Sequence, residues 1–113
     1  MAIAPAPSVR AFVPHSVAEL QLPVAILTGG ADCEAPSERC ADWLVSQNDK
    51  FQRHHLGNEV GHYTFLDFPS DKSLIGKEDI FSDHESVDRS KVHKQTTEIV
   101  FKHFIVSESK DST

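Results

Sequence analysis

The sequence predicts an α/β fold with a small parallel sheet, because a buried strand, a helix and a second strand follow one another along the chain. The run VAILT at Val24–Thr28 is almost wholly apolar and ends at two glycines, which is typical of a strand buried on both faces. Residues 36–45 then carry apolar side chains at helical spacing, and residues 52–56 form a second candidate strand. Two strands joined by a crossover helix lie parallel in one sheet.

The composition is that of an ordinary globular domain. The chain has 113 residues, of which 39% are hydrophobic and 25% charged, so it holds one domain at most, with a small core. Eleven Lys and Arg against seventeen Asp and Glu give a net charge of −6, which repels phosphate backbones, and we expect no nucleic-acid binding. No apolar run approaches the roughly 20 residues that cross a bilayer, so no membrane span is expected.

The two cysteines argue against a disulfide-stabilised or metal-dependent protein. Cys33 and Cys40 lie seven residues apart, which fits neither a C-x-x-C redox pair nor a disulfide framework. Two cysteines alone do not make a structural zinc site, and we expect no metal and no other cofactor. Residues 1–16 lack a basic segment followed by an apolar stretch, as a secretory signal requires. The sequence therefore favours a reducing, cytoplasmic setting.

The N-terminal part of the chain is predicted to lead into the sheet. Residues 1–6 are small and mostly apolar, as in the tail of a strand or a buried loop. Pro5, Pro7 and Pro14 then interrupt regular structure and mark a connecting segment. The strand Val24–Thr28 follows this segment.

The helix predicted over residues 36–45 begins at Pro36 or Ser37, both of which suit the first positions of a helix. Its inward face is formed by side chains at three- and four-residue spacing, namely Cys40, Trp43, Leu44 and Gln47. We expect this face to pack against the sheet, with Trp43 as its largest contact.

The last part of the chain is predicted as a surface excursion followed by a helix. Residues 67–85 are polar and interrupted by proline and glycine, which favours a loop or lid. A helix follows from Val87, with Ser86 or Asp88 as its cap. Its apolar face comprises Val92, Ile99, Val100, His103 and Phe104. The domain is taken as residues 1–106, and the small polar residues 107–113 as a disordered tail.

Asp32 and His62 are the residues that could carry chemistry. Asp32 lies four residues beyond Thr28, in the loop at the carboxyl end of a strand, where open α/β sheets gather their catalytic groups. His62 follows 30 residues later, just after the second strand, so parallel strands would bring both to one edge. A carboxylate that accepts a hydrogen bond from histidine Nδ1–H fixes the tautomer and stabilises the imidazolium formed during proton transfer.

Structural readings of these residues stay open beside the catalytic one. Asp32 also fits a turn or helix cap, and His62 a buried, hydrogen-bonded histidine beside Tyr63. His54 and His55 are adjacent in a strand and point to opposite faces, so a metal ion shared between them is not expected.

Three segments resemble the α/β-hydrolase superfamily. They are LPVAILTGGAD at residues 22–32, VGHYTFL at 60–66 and VDRSKVH at 87–93. The pattern is most similar to dienelactone hydrolases and their platelet-activating-factor acetylhydrolase-like relatives, and the resemblance covers roughly residues 1–105.

The resemblance implies the C-terminal portion of a hydrolase sheet, with two or three parallel strands and covering helices. It implies Asp32 as the orienting acid, His62 as the general base, and a carboxylic ester or lactone as substrate. The superfamily's nucleophile elbow, Gly-x-Ser-x-Gly, does not occur in these 113 residues, and in the superfamily it precedes the acid and the histidine. Without a nucleophile the acyl transfer has no first step.

We therefore expect a C-terminal fragment of a serine ester hydrolase that is inactive alone. The alternative is a non-catalytic remnant or interaction module that keeps the closing elements of the fold. In a partial sheet, the strand Val24–Thr28 is expected to expose an edge and to promote self-association.

Overall fold

The computed structural model of the protein describes residues 2, 3, 5, 9 and 11–111, and side chains up to residue 105. Its strands and α-helices are β1 (Ala2–Ile3), α1 (Pro14–Ala18), β2 (Val24–Thr28), α2 (Ala41–Gln47), β3 (Phe51–His55) and α3 (Arg89–Asp111). The strands form one parallel sheet in the order β1-β2-β3. The α/β class predicted from the sequence is confirmed. No helix within the described residues is long and apolar enough to cross a bilayer.

Strand β2 is the centre of the sheet. Ile26 lies opposite Ala2 of β1 on one side and Arg53 of β3 on the other. The prediction that β2 exposes an edge is wrong at Ile26 and Leu27, because part of the segment 1–6 is itself a strand that pairs with these two residues. Residues 1, 4 and 6 of that segment lie outside the described residues.

Strand β3 begins one residue earlier than predicted, at Phe51 rather than at residue 52. The shift has a physical reason, since Phe51 is 6% exposed and belongs to the core. Its amide donates to Asn48 O over 3.1 Å, which closes the turn after α2 and starts the strand.

Both faces of the sheet are buried at β2. On one face, Val17 of α1 and Ala41 and Leu44 of α2 pack against Ile26 and Phe51. The other face carries Ala25 and Leu27, which are also fully buried. A strand buried on both sides has no need of alternating polar residues, and this explains the continuous apolar run in β2.

Helix α1 occupies what the sequence indicated as a connecting segment. Pro14 stands at its start, where a missing amide hydrogen costs nothing. Its end is fixed by Asn48, a buried residue whose Nδ2 donates to Val17 O over 3.0 Å and Leu20 O over 2.9 Å. These bonds tie α1 to the turn between α2 and β3.

The helix predicted over residues 36–45 is two pieces. A 3-10 turn at Ser37–Arg39 precedes α2, and Cys40 between them has φ −121° and ψ −81°, outside the helical region. The Cys40 amide still donates to Pro36 O over 3.1 Å. The change of direction places Ala41 in the core with 0% exposure.

Helix α3 is much longer than the strands of the sheet. A helix of 23 residues measures roughly 35 Å, about twice the length of a five-residue strand. Val92 near its start is buried, whereas Phe104, predicted on the packed face, is 54% exposed. The helix also continues to Asp111, so residues 107–111 are helical where a disordered tail was predicted, because extending an existing helix costs far less than nucleating one.

Asp88 is the N-cap of α3. It is one of the two residues that the sequence predicted as alternatives for this cap. Its Oδ1 accepts from the amides of Ser90 over 3.0 Å and Lys91 over 3.3 Å. The capped amides have no partner inside the helix.

Removing this cap is expected to lower the free energy of unfolding. Asp88→Ala leaves the two amides to water and should cost about 1 kcal/mol. Urea unfolding followed by the fluorescence of Trp43, the single tryptophan, measures the loss. Glu98→Ala, at an exposed position in the middle of the same helix, is the matched control and should change stability by less than about 0.5 kcal/mol. Equal losses in both variants would contradict a capping role.

Candidate functional site

Asp32 lies in a tight loop directly after β2, at the carboxyl edge of the sheet. Its own amide donates to Gly29 O over 3.3 Å, and its Oδ1 accepts from Ala35 N over 2.7 Å. The side chain is 2% exposed. Backbone hydrogen bonds on both sides of the residue therefore hold a buried carboxylate in one orientation.

His62 begins a 3-10 turn, His62–Phe65, that follows β3. The turn is closed by Thr64, whose Oγ1 accepts from Gly61 N over 3.2 Å and whose amide donates to Gly61 O over 3.3 Å. Gly57, at the bend between β3 and the turn, has φ +144°, a conformation that favours glycine.

Main-chain hydrogen bonds join the Asp32 loop to the His62 turn. Gly30 N donates to Gly57 O over 2.8 Å, and Ala31 N donates to Val60 O over 2.9 Å. The approach is so close at Gly29 that a Cβ there would lie 2.2 Å from Val60 O. Only glycine fits, which gives a physical reason for the first glycine after β2.

The two predicted residues meet. His62 Nδ1 lies 2.8 Å from Asp32 Oδ2. Since an ionised carboxylate can only accept, Nδ1 carries the hydrogen, and the neutral ring keeps its lone pair on Nε2. The His62 side chain is 31% exposed, and no side chain or backbone group in the described part of the chain hydrogen-bonds to Nε2. The arrangement is an oriented imidazole base with one accessible nitrogen.

Tyr63 flanks the imidazole. Its ring packs edge-on to that of His62, with centroids 5.4 Å apart and an angle of 82°. Its hydroxyl donates to Glu34 Oε1 over 3.4 Å, and the charge of Glu34 raises the pKa of Tyr63 above its ordinary value. The phenol therefore stays protonated beside the base and bridges the Asp32 loop to the His62 turn.

A polar network behind the turn holds it against α3. Thr64 Oγ1 donates to Asp83 Oδ1 over 2.7 Å, and Thr64 O lies 2.8 Å from His93 Nε2. Arg89, whose side chain is 3% exposed, forms a bidentate pair with Asp83, with Nε–Oδ2 at 2.8 Å and Nη2–Oδ1 at 3.1 Å. The turn is thus held in place through both the side chain and the backbone carbonyl of Thr64.

The electrostatics of Asp83 follow from this network. Burial alone would raise the pKa of Asp83, but hydrogen bonds from Arg89 and Thr64 and the Arg89 charge outweigh it, so the pKa lies below its usual range. Asp83 is therefore ionised at neutral pH. Sequence reasoning missed Thr64, Asp83, Arg89 and His93, although the last two fall within the segment 87–93 that carried the resemblance.

Neither a nucleophile nor a metal site is seen beside the pair. Within the described residues, no serine hydroxyl bonds to His62, and no group of three or more His, Cys, Asp or Glu could hold a metal ion. His54 and His55 register with Leu27 and Thr28, and so face opposite sides of the sheet.

Comparison with known proteins does not place the chain in a family. No protein-family model matches the sequence, and no curated protein and no solved structure matches it. What bears on the chemistry of the site is therefore the geometry of Asp32 and His62.

Proposed function

We propose that this chain supplies the general base and the orienting acid of a serine ester hydrolase of the α/β-hydrolase type. The nucleophile would come from residues outside these 113, and the substrate would be a carboxylic ester or lactone. One observation carries the proposal: the 2.8 Å hydrogen bond from His62 Nδ1 to a buried Asp32 carboxylate, with Nε2 left accessible.

The pair has the properties that acyl transfer demands of its base. Nε2 would take the proton of a serine hydroxyl as the oxygen attacks the ester carbonyl, and Asp32 would stabilise the imidazolium so formed. The same nitrogen would then return the proton to the leaving alcohol. Backbone amides from the rest of the enzyme would stabilise the oxyanion.

Two features favour this role over a purely structural histidine. A histidine that only holds a fold together is expected to use both ring nitrogens in hydrogen bonds, as buried polar groups do. His62 uses one, and the other is left toward solvent at the carboxyl edge of a parallel sheet, where α/β enzymes place their sites.

His62→Ala tests the proposal in the product of the complete coding sequence that contains these residues. Hydrolysis of p-nitrophenyl acetate is expected to lose at least about 1,000-fold in kcat/KM, because the serine no longer has a base. His15→Ala is the matched control, since the His15 side chain is 78% exposed on α1 and pairs with Glu19, away from His62. The control should retain full activity.

A fluorophosphonate probe provides the second readout, because it labels activated serines covalently. We expect labelling of the complete product and none of the isolated 113-residue chain. An ester hydrolysis by the isolated chain that disappears in His62→Ala would show that the nucleophile lies within it. A complete product without a labelled serine, or one equally active without His62, would overturn the proposal.

A non-catalytic interaction module is the second candidate, and the exposed end of α3 favours it. Phe101 is 66% exposed and Ile105 is 48% exposed, which is unusual for large apolar side chains that face only water. A coding sequence with an unrelated region upstream of these residues, together with absent serine labelling, would support this reading.

A further inference from the structure

A cavity lies at the edge of the sheet opposite to the one that holds His62. It has a volume of about 730 Å³ and opens between the first residues of β2 and β3 and the distal half of α3. We call it the basal cleft and define it by Val24, Lys50, His54, Lys102 and His103. Its volume falls within the 300–1,000 Å³ that small-molecule sites occupy.

The charge of the basal cleft is opposite in sign to that of the chain. Among the described residues that line it are two lysines, two histidines and one acid, Asp49, whereas the whole chain carries a net charge of −6. A local excess of basic side chains favours an anionic ligand.

One of the two lysines is held in place. The Lys50 ammonium donates to Gln21 Oε1, and the Lys50 amide donates to Asn48 Oδ1 over 2.9 Å. Gln21 is fixed in turn by its Nε2, which donates to Glu19 O over 3.2 Å. The head group of Lys50 is therefore partly ordered before any ligand arrives, which lowers the entropic cost of binding.

The two histidines lie on opposite walls of the basal cleft. His54 belongs to β3 and His103 to α3, and both are half-buried. Burial is the main cause that lowers the pKa of His103, and the charge of His54 makes a smaller contribution. A negative charge placed beside His103 would favour the protonated form of that ring.

An apolar surface adjoins these cations. Pro23 and Val24 at the start of β2 and Ile99 of α3 line the same cavity. A phosphate ion alone would leave this surface in water, whereas an organic group attached to the phosphate would cover it.

We propose that the basal cleft binds a phosphomonoester, with its head between Lys50 and Lys102 and a small apolar body against Pro23, Val24 and Ile99. A phosphomonoester carries about −1.5 to −2 charges at neutral pH and so matches two lysine ammonium groups better than a single carboxylate does. The site is separate from Asp32 and His62 and does not depend on the proposed hydrolase function.

Calorimetric titration of the 113-residue chain with phenyl phosphate at low ionic strength tests the proposal. We expect saturable binding at one site, weaker binding of inorganic phosphate, and no saturable binding of phenol. Lys102→Glu should weaken the binding of phenyl phosphate at least about ten-fold, because it replaces an attraction by a repulsion. Lys94→Glu changes the overall charge equally, from an exposed position of α3 that does not line the cleft, and should weaken binding less than about two-fold.

Nuclear magnetic resonance locates the bound probe. Phenyl phosphate should shift the ring signals of His54 and His103 and leave those of His62 unchanged. Circular dichroism of both lysine variants checks that they are folded. The proposal fails if phenol binds as tightly as phenyl phosphate, if both lysine variants lose affinity equally, or if no saturable binding of phenyl phosphate is seen.

Discussion

Asp32→Asn is expected to lower kcat for ester hydrolysis by roughly 1,000- to 10,000-fold in the complete enzyme, with the fold retained. The carboxylate accepts two hydrogen bonds, one from Ala35 N and one from His62 Nδ1. An asparagine has one carbonyl oxygen and can satisfy only one of these donors. If the oxygen keeps Ala35 N, the amide NH₂ faces the imidazole and forces Nδ1 to accept. Nε2 then carries the hydrogen and loses the lone pair that takes the serine proton.

The change of tautomer is measurable in the 113-residue chain without any activity. Nitrogen-15 spectra of the imidazole should show His62 protonated at Nδ1 in the parent chain and at Nε2 in Asp32→Asn. Asp42→Asn is the matched control, because Asp42 forms an exposed ion pair with Arg53 and does not touch His62. An Nδ1-protonated ring that persists in Asp32→Asn would exclude the orienting role of Asp32.

Arg89→Ala is expected to lower the free energy of unfolding by about 3 kcal/mol. We expect this to be the largest effect of any buried side chain in the polar network behind the His62 turn. The guanidinium is 3% exposed and donates to both oxygens of Asp83 and to Ile80 O. Its removal leaves a largely buried carboxylate, 16% exposed, with Thr64 as its remaining donor. Removing one partner of a buried ion pair lowers the free energy of unfolding far more than removing one partner of an exposed pair does.

Urea unfolding at neutral pH measures this loss. Arg53→Ala makes the same change in a pair whose two side chains are 39% and 41% exposed, and should cost less than about 1 kcal/mol. Similar losses in the two variants would show that burial does not strengthen the Arg89 pair. A broadened or shifted His62 ring signal in Arg89→Ala would show in addition that the network positions the turn.

The pH dependence of this loss follows from the depressed pKa of Asp83. The unfolded carboxyl binds its proton at a higher pH than the folded one, so the pair stabilises fully above the ordinary carboxyl pKa. Its contribution falls as the pH drops through the depressed value. The difference in stability between the parent chain and Arg89→Ala should therefore shrink below about pH 4.

The sequence was most informative where one local pattern determines structure. Val24–Thr28 has the predicted bounds because a short apolar run between turn residues has few other uses in a small domain. The meeting of Asp32 and His62 followed from a rule of equal simplicity, namely that parallel strands end at one edge. The interruption of the helix at Cys40 could not be predicted from the sequence, since the spacing of apolar residues is the same in a continuous and in an interrupted helix.

The supporting network could not be predicted because its contacts are not local. Thr64 lies 19 residues from Asp83 and 29 from His93. Polar residues in an irregular segment have no periodicity that would reveal their partners. The two-residue strand β1 was missed as a partner of β2 for a similar reason, since Ala2 and Ile3 are too few to show an alternation.

The main-chain bonds between the Asp32 loop and the His62 turn bear on how this protein tolerates evolutionary change. Because amide and carbonyl groups of Gly30, Ala31, Gly57 and Val60 set the spacing of acid and base, most nearby side chains are free to drift without altering it. The constraint falls on Gly29 and Gly30, where a Cβ would lie 2.2 Å from Val60 O and 2.6 Å from Asn58 Cα. Variants of this protein should therefore diverge widely around the pair while retaining glycine at these two positions.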